Sequence, residues 1–100
     1  MLKHIVMWKL KEFAEGKTKA ENALIMKESL ERLVGIVPEI ISLQVGINEK
    51  ESDMAYDAVL ISTFADADAL ARSKVHPEHM KVSDYCKKIR EGRVFVDFHE

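Results

Sequence analysis

Leu2-Lys-His-Ile-Val-Met-Trp-Lys-Leu10 is the stretch that decides how the chain is built. Side chains alternate across an extended strand. Leu2, His4, Val6, Trp8 and Leu10 therefore share one face, and Lys3, Ile5, Met7 and Lys9 share the other. The first face is almost wholly apolar. The second is charged at its ends and apolar at its centre, whereas a sheet with one side in water reads polar on that side. This strand expects cover on both faces.

Working outward, a loop with Glu12, Glu15 and Gly16 leads into a helix expected over residues 17 to about 34. Ala20, Ala23, Leu24, Lys27, Leu30, Leu33, Val34 and Val37 follow three-and-four spacing, and Met26 widens the stripe. Lys27 interrupts that face and has to extend its amine outward. Gly35 and Pro38 are stop signals. Residues 40–48 alternate as a strand, with Ile41, Leu43, Val45 and Ile47 on one side and Ser42, Gln44 and Gly46 on the other. Residues 56–64 form a third strand that is substantially apolar on both faces. Asp66 is placed to cap a short helix over residues 67–74. His76-Pro77 breaks it and starts another, since proline suits a first helical turn. That second helix runs to about Arg90, with Val82, Tyr85, Cys86 and Ile89 inward and Gly92 as its stop. Residues 93–98 form the last strand, Val94, Val96 and Phe98 on one side and Phe95 on the other.

The order is β-α-β-β-α-β, the ferredoxin-like pattern of an α+β fold with a four-stranded antiparallel sheet. Its helices cover one sheet face only. Ile5, Met7, Val59, Ile61 and Phe95, pooled on the far side, leave an apolar centre there. A patch of that kind on a small domain calls for a partner surface. A second sheet packed against it in a symmetric homodimer is the simplest cover.

Length and charge narrow the rest. One hundred residues with 47% apolar content make a single domain, residues 1–100, with enough to bury. Seventeen acidic and 15 basic residues give a net charge of −2, which excludes a bulk basic surface for nucleic acid. The last strand, Arg93-Val-Phe-Val-Asp-Phe98, lacks the basic-aromatic signature of RNA-recognition domains with this topology. The N-terminal run reads as neither a signal peptide nor a membrane span, so no membrane partner is expected. A lone cysteine, Cys86, makes no internal disulfide and fits a reducing, cytoplasmic setting.

Met1-Leu-Lys-His-Ile-Val-Met-Trp-Lys-Leu-Lys11, residues 38–46, the strand after Tyr56, His76-Pro-Glu-His79 and Val94-Phe-Val-Asp-Phe98, taken in order, resemble the stress-responsive α/β-barrel (Dabb) family. The resemblance covers nearly the whole chain. It implies a dimeric α/β barrel with two sheets packed together. The family includes plant stress proteins, a plant polyketide cyclase and many bacterial members of unassigned role. In that cyclase the second His of His-Pro-x-His is the base of an aldol-type ring closure, and His79 matches it. The N-terminal His is kept as His4. A Tyr six residues before the catalytic His is Ser73 here, and a further pocket His is Ala58.

His79 is the leading catalytic candidate. It precedes Val82 and Cys86 by three and seven residues, which turns it toward the core side, and an imidazole there exchanges protons near neutral pH. A buried His bonded to backbone is the bland alternative. His4 is the second catalytic candidate, and Trp8, Ser73 and Tyr85 are candidates for contact with a substrate. His76 reads as a helix-start residue. Cys86 reads as core, being about 10 Å along the helix from His79. Lys87, Lys88, Arg90 and Arg93 read as a solvated face. No phosphate-binding glycine loop and no compact ligand set is visible, so neither cofactor nor metal is expected. The reading that follows is a homodimer that binds or transforms a small hydrophobic or aromatic metabolite near His79. A non-catalytic stress-associated oligomer, or a haem or quinol monooxygenase-like member of the wider dimeric α+β barrel group, is the alternative.

Overall fold

β1 (Leu2–Leu10) runs through the middle of the sheet, and its pairings fix the rest. A computed structural model describes residues 1–100. Glu15 and Gly16 both have positive φ, 52° and 74°. They make the tight turn of a small hairpin, β2 (Phe13–Ala14) and β3 (Lys17–Thr18), as a two-residue connection requires. Lys17 and Thr18 thus precede the first helix rather than belonging to it. α1 (Lys19–Glu31) opens on a capping box: Thr18 Oγ1 accepts from the Glu21 amide, and the Glu21 carboxylate accepts from the Thr18 amide. β4 (Ser42–Ile47) and β5 (Ala58–Phe64) follow. α2 (Ala67–Lys74) is capped by Asp66, which accepts from the Ala69 amide at 2.8 Å. α3 (Pro77–Ile89) and β6 (Arg90–His99) complete the chain.

The sheet order is β4-β5-β1-β6, all antiparallel. It is open, with β4 and β6 as unjoined edges. The expected α/β barrel is therefore corrected to an open ferredoxin-like sheet with helices on one side. The β4 edge shows why closure does not occur there. Lys27 Nζ donates to the Val45 carbonyl at 2.7 Å, and Glu31 Oε2 accepts from the Val45 amide at 3.1 Å. Backbone groups that would pair a further strand are already taken, a recognised way of blunting a sheet edge.

The core lies between the sheet and the helices: Leu2, Val6, Trp8 and Leu10 of β1 meet Met26, Leu30 and Leu33 from the α1 side and Cys86 and Ile89 from α3. The buried stripe of α1 is Asn22, Ala23, Met26 and Leu30. Leu24 and Val34, expected inside, are exposed. Asn22 turns the helix that way. Its Nδ2 donates to the Ala14 carbonyl at 3.0 Å, and its Oδ1 accepts from the Tyr85 hydroxyl, so one buried amide ties hairpin, α1 and α3 together.

β6 departs most from expectation. Gly92 does not stop a helix; Arg90 is already extended, and Gly92 pairs with Lys9 inside the strand. Ile5 lies opposite Val96, Met7 opposite Val94 and Lys3 opposite Phe98. Directly opposed residues share a face, so Val94, Val96 and Phe98 join Ile5, Met7, Val59 and Ile61 on the open side. Phe95 faces the helices instead. The open apolar centre is thus larger than the sequence suggested, with Met7, Ile61, Val94, Val96 and Phe98 each more than two-fifths exposed. No helix is long and apolar enough to cross a membrane.

Candidate active site

A cavity of about 360 Å³ lies between the sheet and the helical layer. Its floor is the helix-facing side of β1 and β5, with His4, Val6, Trp8, Leu60, Ser62 and Phe64. Its roof is one stripe of α3, His79, Ser83, Cys86 and Lys87 at three-and-four spacing, continued by Arg90 at the start of β6. That volume sits within the ordinary range for small-molecule sites, roughly 300–1,000 Å³.

His79 is placed by the break before it. The His76 ring nitrogen Nδ1 accepts from the Glu78 amide at 3.1 Å, and Pro77 occupies the first turn, so the helix starts where the His-Pro pair dictates. The Nδ1 atom of His79 is buried and has no hydrogen-bond partner. Burial pushes the His79 imidazole below its ordinary range, and the positive charge of Lys74, with His4 and His76, pushes the same way. The ring is therefore neutral at pH 7 with an unsatisfied nitrogen, a combination that native structures rarely leave without a use.

His4 stands on the cavity floor and is itself buried. Its Nδ1 pairs with Asp97 Oδ1 from β6. The register that sets His4 opposite Asp97 makes this contact. A carboxylate on Nδ1 fixes the proton there and leaves Nε2 as the free nitrogen. Phe64 meets the imidazole edge-on at 6.4 Å, and Phe95 lies tilted at 6.2 Å, holding the ring in place. Asp97 is the functional residue that sequence reasoning missed. Its signal was the placement of β1 beside β6, which only long-range pairing reveals.

His4, Trp8 and His79 are brought together as cavity walls. Ser73 and Tyr85 are not. Ser73 is wholly buried and donates to the Leu70 carbonyl at 2.8 Å, an intrahelical bond that uses its hydroxyl. Tyr85 turns to Asn22 on the far side of α3 and lines a separate shallow groove. Cys86 lines the cavity, but burial pushes its thiol up to about 11, so it is no nucleophile near neutral pH. Lys87, Arg90 and Arg93, expected on a solvated face, stand at the cavity, while Lys88 lies on the opposite side near Glu15. No three His, Cys, Asp or Glu side chains gather to hold a metal ion.

Sheet order and helical cover together define a ferredoxin-like α+β domain, with an imidazole-lined cavity between sheet and helices. The stress responsive A/B barrel domain family matches residues 2–100, and the chain belongs to it. A dimeric protein of unknown function and ferredoxin-like fold from Bacteroides fragilis is similar at 25% identity and TM-score 0.77, over 99% of this chain and 95% of that one. A dimeric ferredoxin-like protein of unknown function from Thermobifida fusca has TM-score 0.82 at 18% identity, over 99% of this chain and 90% of that one. A Dabb family protein from Mesorhizobium loti has TM-score 0.74 at 19% identity, over 99% and 95%. No protein of curated function matches the sequence.

Proposed function

We propose that the chain is a homodimeric domain that binds, and by acid-base chemistry transforms, a small hydrophobic or aromatic molecule in the cavity beside His79. The observation that carries this is the buried, unpartnered Nδ1 of a neutral imidazole in the wall of an apolar cavity. Such an atom, a donor or an acceptor according to the tautomer, exchanges a hydrogen bond or a proton with whatever fills the space. In the cyclase-like version, His79 takes the proton from a carbon next to a carbonyl. That carbon closes on a second carbonyl, the new alkoxide takes the proton back from His79, and His4, its Nδ1–H held by Asp97, accepts a hydrogen bond from a substrate hydroxyl at Nε2. With Ser73 turned away and Ala58 carrying no polar group, the cavity has fewer polar handles than that cyclase.

The homodimer is supported by the apolar open face of the sheet and by the dimeric relatives from Bacteroides fragilis and Thermobifida fusca. Two copies laid sheet to sheet remove Met7, Ile61, Val94 and Val96 from water, each worth roughly 1.5–3 kcal/mol when fully buried.

The test is an NMR titration that follows the ring carbon-bound protons of His79 and His4 against a panel of small aromatic ketones and phenols. Both rings shift together in the wild type, and His79→Phe, which fills the cavity, abolishes the response. A panel that moves neither ring at millimolar concentration overturns the proposal. Binding without turnover assigns a carrier role.

A further inference from the structure

The cavity has a mouth whose charge the reading above does not use. Lys74 from the last turn of α2, Lys87 from α3, and Arg90 and Arg93 from β6 all stand on its lining, which includes no Asp or Glu. None of the four has a carboxylate within ion-pair distance, although six other cations of the chain do. Acidic residues outnumber basic ones overall, so this concentration is local and not a reflection of composition. Arg93 is braced over the Phe95 ring at 5.2 Å, and the positive charge of Arg90 acts directly on it. Asp97, the carboxylate whose charge reaches Arg93, is already engaged by His4. Four like charges gathered without a paired carboxylate repel one another, and an anion seated among them relieves that repulsion.

We infer that the cavity takes an amphipathic anion, its apolar body seated against Trp8 and Leu60 and its carboxylate or phosphate head held at the mouth by Lys74, Lys87, Arg90 and Arg93. This rests on the cavity being a ligand site, and it names the class of ligand. Arginine forks match either head group in bidentate geometry, and the lysines add point charge. A ligand held by its head at the mouth extends its body inward past Ser83 toward His79.

Calorimetric titration of the full chain with naphthoate, naphthyl phosphate and the uncharged naphthylmethanol separates the two ideas. Both anions are expected to bind at least about tenfold more tightly than the alcohol at low salt, with the margin shrinking at high salt. In Lys87→Gln/Arg93→Gln, which retains the apolar walls, the margin is expected to fall below about threefold. The tighter of the two anions identifies the head group. If the alcohol binds as well as the anions, or if the margin survives the double substitution, the anion assignment is overturned while the cavity remains a ligand site. If none of the three binds, the ligand site itself fails and the head-group assignment goes with it.

Discussion

The two faces of one sheet are built from neighbouring residues and have opposite characters. On the helix side, Leu2, Val6, Trp8 and Leu10 are buried, yet the buried His4 and Ser62 sit among them. On the open side, Ile5, Met7, Val59, Ile61, Val94, Val96 and Phe98 form an apolar field, with Lys3 and Thr63 bonded to each other at one end. Polar groups are costly where they are buried, and apolar groups are costly where they are wet. Each face carries the groups that its own surroundings penalise. The proposed site rests on these groups of the covered face, and the proposed homodimer on those of the open face.

The strongest way to break this contrast is to charge the open face. Val96→Asp is expected to raise the self-dissociation constant by at least about 100-fold, as burying an unpaired charge at an interface does. Circular dichroism of the single chain should stay unchanged, because Val96 is already half exposed there. A variant that sediments as the wild type does would show that the open face is not the contact.

A second change tests how the covered face is held. Asn22→Ala removes the partner of the Tyr85 hydroxyl and the side-chain donor to the Ala14 carbonyl. Urea unfolding should then show a loss of about 2–3 kcal/mol, more than the roughly 1 kcal/mol expected for Tyr85→Phe. Equal losses would mean that the amide does not act as a hub.

Acid sharpens the comparison further, through His79. Its folded imidazole lies below the ordinary value, so the unfolded chain takes up this proton first as pH falls. Stability from this group is complete above the unfolded value, about 6.5, and is lost as pH drops below it toward the folded value. Urea midpoints measured at pH 7.5 and pH 5.5 should therefore fall less in His79→Gln than in the wild type. An identical fall would place the imidazole in water.

The smallest expected effect concerns Cys86. With its thiol held at about 11, Ellman's reagent at pH 8 should react no faster than the chain opens. Immediate stoichiometric labelling would mean that the cavity wall is wet at that point.

How much of this could be read from residues alone depended on range. The alternation in Leu2–Leu10, the Asp66 cap and the His76-Pro77 break are local, and they position β1, α2 and α3 as the sequence suggests. His79 follows from the break and the helical spacing after it. The face of β6 did not, because alternation says which residues share a side but not which side it is. The β1–β6 register decided that, and it moved Phe95 inward and Val94, Val96 and Phe98 outward. Asp97 was hidden for the same reason. Lys27 looked like an interruption of an apolar stripe, but it and Glu31 reach a strand-edge backbone 14 to 18 residues away. Ser73 and Tyr85 have the right chemistry for a pocket, and nearby partners claim them first. Asn22 went unnoticed because a buried amide carries no periodicity signal of its own.

Sedimentation equilibrium of the unmodified chain at micromolar concentration bears most directly on the claim that one face of the sheet joins a second copy while the other holds the site. A particle of twice the 11.4 kDa chain mass is the predicted result. A stable 11.4 kDa species whose open-face side chains contact only water would contradict it.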